Sequence, residues 1–312
     1  MKAISVATSF VALYYPVASL FLNAQLSRRG VLERAVTTSG IVWTTTFSHD
    51  AAANAIDELT LSSRFESNIL FQPSVTALNG ESNGVDNTYY PSWLEGTWNV
   101  TQTLINVDAP LGFSFAGGPS GVESIGKQSI QESTKQLNIP VQLTLRYVKT
   151  PWGVAEDRLF NTAQRLNAFA GRVVVASVDY ANVAVSNRAS VLAKGGTEET
   201  PLQTTVVRFK GPAAQKSFLV SHNQPPDDDL SDSWCGFEVQ RSIFSLTNTN
   251  TAPPITTDTE YLWSLRLDKR SNSVTGKLRI AGYLNPTDRL YFDAKKRAVT
   301  LQDYTLYMRK ID

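Results

Sequence analysis

Residues 121–128 read GVESIGKQ and supply the Gly-x-x-x-x-Gly-Lys of a phosphate-cradling loop. The next position should be Ser or Thr to reach magnesium, and it is Gln128. Glu123 would also set a negative charge where phosphates sit. The flanking chain does not alternate strand and helix as a nucleotide fold must, so a Gly-rich lid loop is expected. Residues 223–233, NQPPDDDLSDS, are acidic enough to suggest a calcium loop. Counted from Asp227, the sixth position is Asp232 where the sharp turn needs Gly, and the twelfth is Glu238. Without that Gly a solvated acidic loop is the expectation. His222 is a candidate base, yet no Gly-x-Ser-x-Gly elbow offers it a nucleophile. Cys235, in DSWCGFEV, is expected to be a small buried apolar side chain. Glu156 and Asp157 beside Arg158 are the best general-acid candidates, although adjacent carboxylates at a helix start usually cap it. No catalytic residue, metal site or cofactor is assigned from these clusters.

The elements that must position such groups are mostly strands. From Trp98 onward the apolar period is two: PVQLTLRYVK puts Val141, Leu143, Leu145 and Tyr147 on one face. LQTTVVRFKG, TEYLWSLRLD, VTGKLRIAGYL and AVTLQDYTLYMRK behave alike, separated by turn signals at Lys210-Gly211-Pro212, Arg270-Ser271-Asn272-Ser273 and Asn285-Pro286. The spacing predicts an all-β fold, an antiparallel barrel of about 8–10 strands with one or two short helices. One helix is expected in EDRLFNTAQRLNAFAG, with Leu159, Ala163, Leu166 and Phe169 on a face and Gly171 as the stop. Another, in SGVESIGKQSIQESTKQLNIP, is ended by Pro140 and could serve as a plug or lid. Residues 56–92 are rich in Ser and Asn and read as an N-terminal extension, which leaves 93–312 as the barrel domain.

Composition narrows the partners. Lys and Arg total 29 against 28 Asp and Glu, so the chain projects no basic field that would hold nucleic acid. A lone Cys and two His exclude an internal disulfide and a zinc ribbon. The aromatic residues Trp152, Trp234, Phe237, Tyr261, Trp263 and Tyr283 are expected to line an apolar ligand cavity, the alternative being a filled barrel core.

The stretch YPSWLEGTWNV carries a resemblance. Gly96-Thr97-Trp98 is similar to the Gly-x-Trp that starts the first strand of lipocalins and related calycin barrels. In that family the indole closes the barrel floor beneath an Arg of the last strand, which the resemblance would assign to Arg309. These roles are structural and name no ligand.

The N-terminus reads as two addresses in series. Residues 1–24, apolar between Lys2 and small residues near Ala24, have a signal-peptide profile. Residues 25–55 follow with Arg28-Arg29, a mildly apolar stretch and an A-x-A site at Ala53 and Ala55, which resembles a twin-arginine-type transfer segment. The series resembles the multipartite presequence of a plastid protein bound for the thylakoid lumen. Together NILFQPSVTALNG, YPSWLEGTW, GVAEDRLFNTAQRLNAFAGR, YANVAVSNRASVLAKGG, TAPPITTDTEYLW and LQDYTLYMRK resemble a family of uncharacterised thylakoid-lumen proteins of plants, algae and cyanobacteria. That resemblance implies lumenal location and one domain, and moves no catalytic residue onto this chain. The expected function is a soluble lumenal lipocalin-like protein, without a mature transmembrane segment, that binds a small apolar ligand such as a pigment, lipid or quinone. Two alternatives stand beside it: an auxiliary or assembly factor of a photosynthetic membrane complex, and a barrel isomerase-type enzyme. N-terminal sequencing of the protein from its own cells is expected to find a start near Ile56; a start upstream of Arg28 would overturn the second address.

Overall fold

The computed structural model describes residues 61–73, 88–180, 204–223, 231–247 and 254–311. The two targeting segments and residues 224–230 of the acidic loop lie outside them. The strands are β1 (Tyr89–Tyr90), β2 (Gly96–Asp108), β3 (Pro140–Thr150), β4 (Gly153–Glu156), β5 (Val175–Tyr180), β6 (Thr204–Phe209), β7 (Ala213–Asn223), β8 (Ser233–Leu246), β9 (Ile255–Asp268), β10 (Ser273–Tyr283) and β11 (Thr300–Ile311). The helices are α1 (Leu61–Glu66), α2 (Glu123–Thr134), α3 (Arg158–Phe169) and the single turn α4 (Tyr291–Ala294).

All the strands join one antiparallel sheet in the order β1-β4-β3-β2-β11-β10-β9-β8-β7-β6-β5. The fold is all-β and barrel-like: among the described residues, eleven strands curl into a half-barrel whose edge strands β1 and β5 do not pair with each other. Alternation explains the curl. Val141, Leu143, Leu145 and Tyr147 of β3 face the same side as Trp98, Val100 and Leu104 of β2, and their burial drives the concave face together.

At one end the curl is closed by side chains rather than by a ladder. The Tyr90 ring of β1 packs on Trp234 of β8 with centroids 4.8 Å apart and meets Trp263 of β9 edge-on at 6.3 Å. Trp93 Nε1 donates to the Ser231 carbonyl at 3.0 Å across the same gap. Trp98 is fully buried beneath them and donates to the Leu94 carbonyl at 2.8 Å.

Two helices complete the enclosure. For α3, Asp157 caps the start by accepting from Phe160 N at 3.1 Å, and Gly171 just past the end has φ +63°, the left-handed geometry of a helix stop. The helix packs on β3 and on β5, so it lies across the opening between the two edges of the sheet. Helix α2 covers the end where β2 stops and β3 begins. Gly126 lets it approach closely, because a Cβ there would stand 1.8 Å from the Phe113 carbonyl oxygen. Pro140 opens β3 after the helix has ended, as its fixed φ and missing N–H require.

The convex face is covered too. Residues 61–72, inside the expected N-terminal extension, form α1 and a strap across β8, β9, β10 and β11. Leu61 and Phe65 pack with Val220, Phe237, Val239 and Leu262, while Leu70 is buried among Ala281, Tyr283, Ala298 and Leu301. Arg64 reaches Glu260 of β9 with two Nη2 contacts of 2.7 Å and an Nε contact of 3.1 Å. Tyr283 donates to the same carboxylate at 2.6 Å, and Arg279 donates to the carbonyls of Arg64 and Ser67. Burial outweighs these partners and leaves the Glu260 carboxyl above its ordinary pKa. No helix among the described residues is long and apolar enough to cross a membrane.

Glu260 is 1% exposed, so Arg64→Ala strands a carboxylate without its cation. The expected loss is about 3–5 kcal/mol of stability, read as a lower urea midpoint. An unchanged midpoint would show that the Arg64–Glu260 pair adds nothing to the fold.

Candidate functional site: the barrel cavity

The curled sheet, α2 and α3 line a partly open cavity of about 330 Å³. Its apolar wall includes Leu104 on β2, Val141 on β3, Leu219 on β7, Tyr261 and Trp263 on β9, Leu278 and Ile280 on β10 and Tyr304 on β11, with Leu166 and Phe169 of α3 opposite. Tyr261 and Trp263 are stacked, centroids 5.9 Å apart and planes 15° from parallel, so they present a flat aromatic surface. That volume is within the range of small-molecule sites, which are typically about 300–1,000 Å³.

The remaining wall is polar. Glu156, the last residue of β4, accepts from Asn161 Nδ2 at 3.0 Å and is ion-paired with Arg165 of α3. Arg158 extends across the interior to Glu238 of β8 in a two-pronged pair at 2.8 and 3.1 Å. Gln240 donates to the same carboxylate at 2.8 Å. Burial alone would raise the Glu238 pKa, but the Arg158 charge, with hydrogen bonds from Arg158 and Gln240, holds it below the ordinary glutamate value. Gln102, Gln215 and Gln302 also line the cavity; Gln302 accepts from the Tyr304 hydroxyl at 3.1 Å.

The aromatic residues expected at a ligand site are distributed by strand parity. Tyr261 and Trp263 stand on the cavity wall. Trp234 is buried in the closed end against Tyr90. Phe237 and Tyr283 occupy outward positions under the strap, the first beneath the Arg64 guanidinium at 5.7 Å. Trp152 sits in the β3–β4 turn, 42% exposed. These four do not line the cavity: Phe237 and Tyr283 because a side chain one residue out of register points to the opposite face of the sheet, Trp234 because it shares the face of Trp263 but lies at the closed end, and Trp152 because it is in a turn.

Gly96 and Trp98 stand at the start of β2. Gly96 has φ +120°, and a Cβ there would lie 2.7 Å from Lys310 Cε. The cation over the Trp98 ring is the Lys310 ammonium, 5.7 Å from the centroid. This corrects the assignment to Arg309, which is exposed on the other face of β11 for the same reason of parity.

The other sequence candidates resolve into structure. In GVESIGKQ, Glu123–Gln128 form the first turns of α2, not a phosphate loop. Glu238 is fully buried against Arg158, so it is not a calcium ligand, and no metal-binding cluster occurs among the described residues. His222 lies beside Glu238 in the β7–β8 ladder. Cys235 is half-buried, and burial pushes its thiol up to about 11, so it stays protonated at neutral pH. Of the two adjacent carboxylates, Asp157 caps α3 and pairs with Arg146 at 2.9 Å, whereas Glu156 turns into the cavity.

Sequence reasoning missed the cavity glutamines. A signal existed: Gln102 interrupts the inward series Trp98, Val100, Leu104, and Gln302 precedes Tyr304, Leu306 and Met308. A polar residue on an otherwise apolar inward face needs either a partner or a ligand.

Residues 82–312 match a family described as Domain of unknown function (DUF6816). No curated protein and no solved structure matches the chain.

The depressed Glu238 pKa has a stability consequence. Its contribution is present above the unfolded glutamate value of about 4.3 and is lost as pH falls through the lower folded value. Glu238→Gln is therefore expected to be less stable at neutral pH, with a shallower loss of stability in the acid range below about pH 4.3 than the parent. Equal acid limbs in thermal melts across that range would refute the pairing.

Proposed function

The chain belongs to the DUF6816 family, a domain of unknown function, and we propose that it is a ligand-binding barrel protein that holds one small, largely apolar molecule in the cavity between the sheet and α3. The observation that carries this reading is the partly open cavity of about 330 Å³ with a stacked Tyr261–Trp263 wall. A packed barrel would fill that space, since protein interiors are otherwise close-packed. The cavity is amphipathic rather than purely apolar, which refines the ligand to one with a hydrophobic body and a polar part. A pigment, lipid or quinone of suitable size meets that description. The stacked addresses of residues 1–55 support placing the processed protein in a thylakoid lumen.

A second reading, an auxiliary factor docked on a membrane complex, draws on Phe292, which is 80% exposed on α4 beside the exposed Lys295 and Lys296. Cavity and docking surface are separable. Ile280→Trp fills the cavity and leaves α4 untouched. It is expected to weaken binding of an apolar fluorescent probe at least tenfold in a Trp-quenching titration, and to abolish co-purification of any small molecule seen by native mass spectrometry. Binding equal to the parent in a variant with a parent-like circular dichroism spectrum would sink the cavity reading. Co-fractionation with a membrane complex, undiminished in that variant, would favour the second.

A further inference from the structure

We infer that the cavity selects uncharged molecules that carry carbonyl or hydroxyl oxygens, and rejects both plain hydrocarbons and charged amphiphiles. This rests on the reading of the cavity as a ligand site. Gln102 carries it: the residue is 5% exposed, it lines the cavity from the inward face of β2, and its side-chain amide has no hydrogen-bond partner among the described residues. The amide faces the cavity rather than packed protein, so a ligand oxygen of either polarity would satisfy it, since an amide both donates and accepts. Thr205, 6% exposed on β6, brings a hydroxyl to the same cavity, likewise without a partner among the described residues. Gln240 spends its N–H on Glu238, while its carbonyl oxygen has no donor among the described residues.

The charged groups of the wall point the same way. Arg158 is matched by Glu238 and Arg165 by Glu156, with Asn161 also on Glu156, and Glu132 on the α2 side of the lining pairs with Lys135 at 2.7 Å. The wall thus offers hydrogen-bonding capacity without uncompensated charge. A carboxylate or phosphate head would have to displace Glu156 from Arg165, and an ammonium would have to displace a guanidinium, each leaving one member of a buried pair without its partner. Flat apolar contact is supplied by Tyr261 and Trp263, so the favoured ligand is a flat or ring-bearing neutral lipid with one or more oxygens.

Three pyrenes of common body separate these chemistries: pyrenebutanol, butylpyrene and pyrenebutyrate, each titrated into the full folded protein with Trp quenching as the readout. The alcohol is expected to bind at least tenfold tighter than either of the others, and Gln102→Leu to bring the alcohol-to-hydrocarbon ratio close to one. Thr205→Val gives the same readout, a reduced ratio, should Gln102→Leu fail to fold. Equal affinity for the three probes, or tightest binding of the carboxylate, would overturn the oxygen selectivity while leaving the cavity as a binding site. No binding of any probe would overturn the cavity reading itself.

Discussion

The pair of Arg158 with Glu238 spans the inside of an open sheet and helps make a cavity of it. In sheet order β4 and β8 are separated by β3, β2, β11, β10 and β9, so an ion pair from the first residue of α3, two positions past β4, to the middle of β8 is a chord across the curl. Desolvating two charges is expensive and is offset only where geometry is good and the remaining lone pairs are satisfied. Both conditions hold: the contact is two-pronged, and Gln240 supplies a further donor. Because Arg158 is in the first turn of α3, the pair also fixes that helix, and with it Leu166, Phe169 and Arg165, over the cavity. At the closed end, Tyr90 against Trp234 and Trp263 does the equivalent work by apolar burial.

A second ion pair of the same kind holds the convex side. Glu260 of β9 pairs in the ladder with Val239, the neighbour of Glu238, so the two acidic residues sit side by side on opposite faces of the sheet. One anchors α3 inside and the other anchors α1 outside. The two differ in balance: Arg158 overcomes burial at Glu238, whereas burial prevails at Glu260. Residues 61–72 lie outside the family match at 82–312, yet the groups that hold them, Glu260, Arg279 and Asp258, lie within it.

Much of this was legible in the chain. Period-two alternation in PVQLTLRYVK and the helical spacing of EDRLFNTAQRLNAFAG, with Asp157 and Gly171 as its ends, are local properties and survive unchanged into β3 and α3. The strap was not legible, because Ser-rich residues 61–72 have weak periodicity and are ordered by Arg64 meeting a partner 196 positions away. The cavity aromatics were only partly legible for a similar reason. Tyr261 and Trp263 face inward, while Phe237 and Tyr283, equally aromatic and equally strand-borne, face outward.

By itself, the sequence determined the long period-two strands, which face of each of them is apolar, where α3 stops, and that two His and one Cys are too few for a zinc ribbon. The structural features follow from backbone sterics and side-chain alternation, which act over a few residues. By contrast, α2 ends at Thr134, short of Pro140, and β1 lies within the stretch read as an extension. Only the tertiary structure decided which apolar face is the inside of the curl, that Lys310 rather than Arg309 covers Trp98, and that Gln102, Glu156 and Arg165 meet around one cavity. Those outcomes depend on register and closure among strands far apart in the chain, where a shift of one residue exchanges the two faces of a sheet.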